Sequence, residues 1–195
     1  QTSDDLRFTR FWWEVPVDKI GTSPDETFQG KKWVPFENDV FLFYFCAGLS
    51  TVVNWEKDGE EIRNFPNAVI RNESFYFRAG LAWSVGLQRS QLRKAFELKR
   101  MPFRIFPQGC IFGVAAQGVL VDKTDMWWLL GILTSRISFF ASRCMGVDKM
   151  PGTSYCARLP IAVPNEKQRF ILTSLSREAY DRLREWATGD ETATV

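Results

Sequence analysis

Phe75-Tyr76-Phe77-Arg78-Ala79-Gly80-Leu81-Ala82-Trp83-Ser84 is the stretch from which the fold of this 195-residue chain is read. Phe75, Phe77 and Leu81 alternate with Tyr76 and Arg78, the period of two that marks a half-buried strand. Gly80 within it predicts a bend, or a backbone approach too close for a side chain. Trp83 is expected in the core. Arg78 opens a basic segment: residues 78 to 104 hold seven Lys and Arg against the single acid Glu97. Residues 1 to 70 carry twelve acids against seven bases, so the small net charge of +2 hides a strong asymmetry. A basic stretch set against an acidic half points to an anionic partner, nucleic acid first, or to a solvated surface that balances the acidic half.

Outward from this stretch, short aromatic segments and helical periodicities alternate along the chain. Arg7–Pro16 reads as an aromatic strand, Gly21–Gly30 as a polar loop and Trp33–Phe36 as a strand entry or edge. Val40–Cys46 reads as a central strand, and Val52–Trp55 and Val69-Ile70 flank a charged turn region at Lys57–Glu61. Ser90–Arg100 has helical spacing, with Ser90 as its cap, Leu92, Phe96 and Leu98 inward, and Arg93, Lys94 and Arg100 outward. Phe103–Phe106 and Cys110–Val114 are strands on either side of a Pro107-Gln108-Gly109 turn, and Gly118–Val121 is a third.

Asp122 or Thr124 is expected to cap one long buried helix to about Met145, carrying Trp127, Leu130, Leu133, Ile137 and Phe140 on one face. The run from Met126 to Ala141 is too short to span a bilayer and contains Arg136. Ala157–Val163 reads as an edge strand because it contains Pro160. Glu166–Trp186 reads as an amphipathic helix with Phe170, Leu172, Leu175, Tyr180 and Leu183, followed by a frayed tail after Gly189. The expectation is a single α/β or mixed α+β domain over residues 1–195, with a twisted mixed sheet, a long buried helix and a C-terminal amphipathic helix.

The chain contains no histidine, which excludes histidine-dependent triads and histidine-ligated metals. Cys46, Cys110, Cys144 and Cys156 lie 64, 34 and 12 residues apart, without a C-x-x-C pair, so reduced cysteines of a cytoplasmic protein are expected rather than a zinc site. Neither a P-loop nor a G-x-G-x-x-G or G-x-S-x-G motif occurs. Glu97-Leu98-Lys99 matches the E-x-K of metal-dependent nucleases, but on a helix rather than the strand that chemistry needs. The match to a sequon at Asn72-Glu73-Ser74 is read as chance.

An ordered set of segments resembles one family. The Arg7–Pro16 string, Val53-Asn54-Trp55-Glu56 followed by Asp58–Arg63, the Phe75–Ser84 motif, Pro107–Phe112 and Leu129–Arg136 occur in this order. Together they resemble the target recognition domain of the adenine-specific DNA methyltransferases of type IIG restriction–modification systems and of the PglX methyltransferases of BREX phage defence. The resemblance spans about the whole chain. It implies a mixed α/β module that binds double-stranded DNA beside a methyltransferase catalytic domain of the same parent chain. Gln1-Thr2-Ser3 resembles the Gln-Thr-Gly with which that region opens, which implies a piece of a longer enzyme. The Asn-Pro-Pro-Tyr/Phe motif does not occur in the 195 residues, so no catalytic residue is assigned here, and S-adenosylmethionine is expected of the parent enzyme only. The chain departs from the family at Ala79, where proline is usual, at Ala82, where threonine is frequent, and at Ser3, where glycine stands.

On this reading the DNA face comprises Arg78, Gln88, Arg89, Gln91, Arg93, Lys94, Lys99, Arg100 and Arg104. The cations would neutralise phosphates, and a subset of Arg78, Gln88, Arg89, Gln91 and Arg93 would read bases, since arginine matches guanine and glutamine adenine. Two other readings stay open: a protein-interaction module of a defence system, and a small metal-dependent nuclease using Glu97 and Lys99.

Overall fold

The computed structural model describes residues 2–38, 44–46, 48–85, 87–114, 116–146 and 152–187. Its elements in chain order are α1 (Asp5–Phe8), β1 (Thr9–Phe11), α2 (Pro24–Phe28), β2 (Trp33–Glu37), β3 (Thr51–Asn54), α3 (Glu56–Arg63), β4 (Gly80–Ser84), α4 (Arg89–Leu98), β5 (Arg104–Phe106), β6 (Ile111–Phe112), β7 (Ala116–Val119), α5 (Met126–Leu133), α6 (Arg136–Cys144), α7 (Thr153–Cys156) and α8 (Glu166–Ala187). The fold is mixed α+β. Its strands form two sheets instead of one, in the orders β1-β3-β2-β6 and β5-β4-β7. The first is mixed: β1, β3 and β2 are antiparallel, and β6 joins β2 in parallel with Phe36 opposite Ile111. The second is antiparallel throughout.

The Phe75–Ser84 stretch is a strand only in its second half. Phe75 lies exposed in a 3-10 turn and Phe77 adopts a left-handed φ of 60°, which breaks the alternation. Regular pairing starts at Gly80, and all five residues of β4 are buried. Both faces of this strand are covered, as its apolar composition after Arg78 allows. Gly80 shows why no side chain fits: a Cβ there would lie 2.5 Å from the Val119 carbonyl oxygen on β7. Phe77 is pinned to the following turn, its N–H donating to the Cys110 carbonyl (2.8 Å) while its own carbonyl accepts from Gly109 N–H (3.2 Å). That Pro107-Gln108-Gly109 turn joins the two sheets: β5 precedes it in one and β6 follows in the other.

Each sheet has its own core. Phe8, Val34, Phe36, Val53, Trp55, Ile62 and Ile111 fill the space on the four-stranded sheet. Leu81 and Trp83 of β4, Phe103 and Ile105 around β5, and Met126, Leu130 and Leu133 of α5 form the larger cluster on the three-stranded one. Leu49, Ala82, Phe106 and Cys110 make a smaller cluster. α8 packs on α5, where Gly131 lets Ser176 approach: a Cβ at Gly131 would lie 2.6 Å from Ser176 Oγ. Asp125 locks this pair by accepting from Trp128 Nε1 (2.7 Å) and Arg169 Nη1 (2.8 Å).

Several sequence expectations are corrected. The aromatic N-terminal string yields only the three-residue β1, preceded by a turn of helix that Asp4 caps. Within the supposed loop at 21–30, Ser23 accepts from Glu26 N–H and Pro24 occupies the first helical position, giving α2. β2 is internal, between β3 and β6. The charged turn begins α3 with Lys57, Asp58 and Gly59 all left-handed, before a right-handed turn to Arg63.

The long helix from 122 is two helices. Thr134 turns its hydroxyl back onto the Leu130 carbonyl (2.8 Å), and Ser135, extended at φ −73° and ψ 160°, caps a new helix. The break turns Ile137 and Phe140 outward, 79% and 68% exposed, whereas Leu130 and Leu133 stay buried. Residues 157–163 form no strand. α8 half-buries Leu172 and Tyr180 but leaves Phe170, Leu175 and Leu183 exposed. Most of the expected strand at 40–46 and the tail after 189 lie outside the described residues. Cys110 is buried, Cys46 and Cys156 are half-buried and Cys144 is exposed, all as free thiols; burial pushes Cys110 and Cys156 up to about 12. Among the described residues no helix is long and apolar enough to cross a membrane.

Candidate nucleic-acid interface

The basic segment folds mainly into α4, which leaves the end of β4 after a short connection. The helix starts at Gln88, not Ser90: Gln88 is extended and its N–H donates to Gln91 Oε1 at 2.9 Å. Leu92, Ala95 and Phe96 turn inward with Leu87, while Leu98 remains exposed. The helix stops because Lys99 enters the left-handed region (φ 52°), with Lys99 N–H donating to Phe96 O and Arg100 N–H to Ala95 O. This is a Schellman arrangement built on a lysine in the place usually taken by glycine.

The consequence is a strip of exposed cations. Arg89, Arg93, Lys94, Lys99 and Arg100 are all exposed, as is Gln88. Of these cations Arg93 alone is ion-paired among the described residues, to Glu97 one helical turn on at 3.0 Å with both partners solvated. Such a pair is worth less than about 1 kcal/mol and exchanges readily for a phosphate. Gln91 is half-buried, and its Oε1 is occupied by accepting from the Gln88 N–H at the cap. Glu97, of the nuclease-like Glu97-Leu98-Lys99, lies on α4 as the sequence indicates and faces Arg93.

Two residues of the predicted face sit elsewhere. Arg78 is exposed, with one contact to the Ser74 carbonyl at 3.5 Å, but it lies before β4 whereas α4 lies after it. Five strand residues, about 16 Å at 3.3 Å each, separate them. Arg104 is not on the surface at all. Its side chain is 0% exposed, and Nη2 donates to Glu37 Oε1 (2.7 Å) and Ser84 Oγ (3.2 Å). It ties β5 to β2 and β4, so its charge serves the interior and is unavailable to a phosphate.

The structure adds two cations that the sequence pattern did not single out. Arg136 and Arg143 of α6 face α4 across an open groove of about 530 Å³, whose walls also include Phe96, Lys99, Phe139 and Phe140. Phe96 and Phe139 meet edge to face with ring centroids 5.7 Å apart, and the Arg143 guanidinium lies 5.1 Å from the Phe96 ring centre. A cue was present in the spacing, since Arg136, Phe140 and Arg143 recur at four and three residues. In the sequence that cue is masked, because Ile137 and Phe140 continue the apolar period of α5. Chemically the surface combines point charges and planar guanidinium groups with accessible rings, which suits an anionic ligand that also carries aromatic faces. No protein-family model matches the chain, and none of the curated proteins compared matches it significantly.

Proposed function

We propose that this chain is a DNA target recognition domain of an adenine-specific DNA methyltransferase, of the restriction–modification or BREX type, acting in the cytoplasm. The observation that carries the reading is the run of exposed cations along α4, continued across the groove by Arg136 and Arg143. Lys94, Lys99 and Arg100 would hold phosphates and set the register of the duplex. Arg89 and Arg93, with Gln88, are the side chains whose chemistry fits purine edges in the major groove. The catalytic domain of the parent would hold S-adenosylmethionine and carry out methyl transfer, with this domain determining which sequence reaches it.

The test is the salt dependence of binding to a double-stranded DNA fragment. Replacing Lys94 and Arg100 together by alanine should weaken binding and lower the slope of log K against log salt by about 2, since each lost phosphate contact removes about 0.9. A slope identical to that of the unaltered chain would refute the assigned surface.

A further inference from the structure

We propose that the groove between α4 and α6 holds a single unpaired nucleotide, its base against Phe139 and Phe140 and its flanking phosphates on Lys99, Arg136 and Arg143. The inference rests on the DNA-binding reading and adds to it a ligand for one particular cleft. Three features point there. The groove volume of about 530 Å³ is within the range of small-ligand sites, which runs over roughly 300–1,000 Å³. Among the described residues its walls alternate rings with cations and carry no acidic side chain. Phe140 is 68% exposed on the groove wall, next to the 79% exposed Ile137, so the two form an exposed apolar patch at its edge.

A paired base inside a duplex offers only its edges, so these ring faces would have nothing to stack on. An unpaired base offers a flat π face at the spacing of a phosphate from its neighbours, which is the geometry by which aromatic side chains and cations take single strands. An anionic lipid surface would also attract Ile137, Phe140 and the arginines. A bilayer, however, meets convex faces, and here the rings and charges line a concave cleft between two helices. The cations of α4 continue away from the cleft as Arg93, Lys94 and Arg100, giving a path along which the rest of the nucleic-acid backbone can run.

The experiment compares the full chain on three probes: a fully paired DNA duplex, the same duplex with one base left unpaired at its centre, and vesicles of anionic phospholipid. The unpaired base should tighten binding about tenfold, as stacking of one base on an aromatic side chain gives. Phe140→Ala should abolish that gain and leave affinity for the fully paired duplex unchanged. Arg136→Ala should lower the salt slope by about 1. Both residues are exposed, so neither change threatens folding. Equal affinity for the two duplexes, or a gain that survives Phe140→Ala, would overturn the proposal. So would vesicle binding that depends on Phe140 without any gain from the unpaired base. Loss of binding to the fully paired duplex in the unaltered chain, with the unpaired base still recognised, would strike the duplex-reading function and leave the groove assignment standing.

Discussion

Replacing Glu37 by alanine should destabilise the domain by about 3–5 kcal/mol, because it strands the Arg104 guanidinium in the core without its counter-charge. Arg104 is wholly buried and Glu37 is 3% exposed, so no water is at hand to take over. Arg104 Nε and Nη1 already lack a hydrogen-bond partner among the described residues, which leaves the Glu37 and Ser84 contacts to carry the site. A single domain is stable by only about 5–15 kcal/mol, so the loss takes a large share of the total. Denaturant unfolding followed by circular dichroism measures it. The pair also makes a sharper prediction: replacing both partners by apolar residues of similar size, Glu37→Leu with Arg104→Met, should cost less than Glu37→Ala alone. A midpoint unchanged by Glu37→Ala would mean that the charge of Arg104 is satisfied by other means.

Trp83→Ala should cost a similar amount, about 3–5 kcal/mol, the range for truncating a large buried aromatic side chain. Trp83 is 1% exposed at the centre of the larger core. Its ring lies 5.0 Å from that of Phe103, tilted by 46°, in the cluster shared with Leu81, Leu130 and Leu133. β4 has strands on both sides and no freedom to close the void, since Gly80 already brings its backbone against β7. Trp83→Phe keeps most of the apolar volume and should cost much less. A loss below about 1 kcal/mol for the alanine variant would contradict the placement of this strand at the core, since only surface sites tolerate truncation so cheaply.

The parts of this fold that the sequence disclosed are those governed by local physics. Gly80 was legible as a close approach because a glycine inside an aromatic strand has few other uses. Trp83 was legible as core, and α4 and α8 through their periodicity. What escaped depended on partners distant in sequence. Arg104 belongs by position to the basic segment, and only Glu37, 67 residues earlier, makes its burial tolerable. The hint was its apolar frame, Met101-Pro102-Phe103 before it and Ile105-Phe106 after it. The break at Thr134-Ser135 was likewise written in the chain, since two hydroxyl side chains in series compete for backbone groups, but an apolar stripe of the right period concealed it. Because the helix breaks there, Ile137 and Phe140 leave the core, and Phe140 lines the α6 side of the groove. Gln91 accepting from Gln88 N–H at the start of α4 is a contact that propensity alone does not reveal.

The most direct measurement is amide hydrogen exchange of the full chain with and without a saturating double-stranded DNA at low salt. If α4 is the docking element, exchange slows over residues 88–100, with a smaller effect over 136–144, and α8 and β1 are unchanged. Protection confined to α8 or to the four-stranded sheet would contradict the account, as would an absence of DNA binding at any salt concentration.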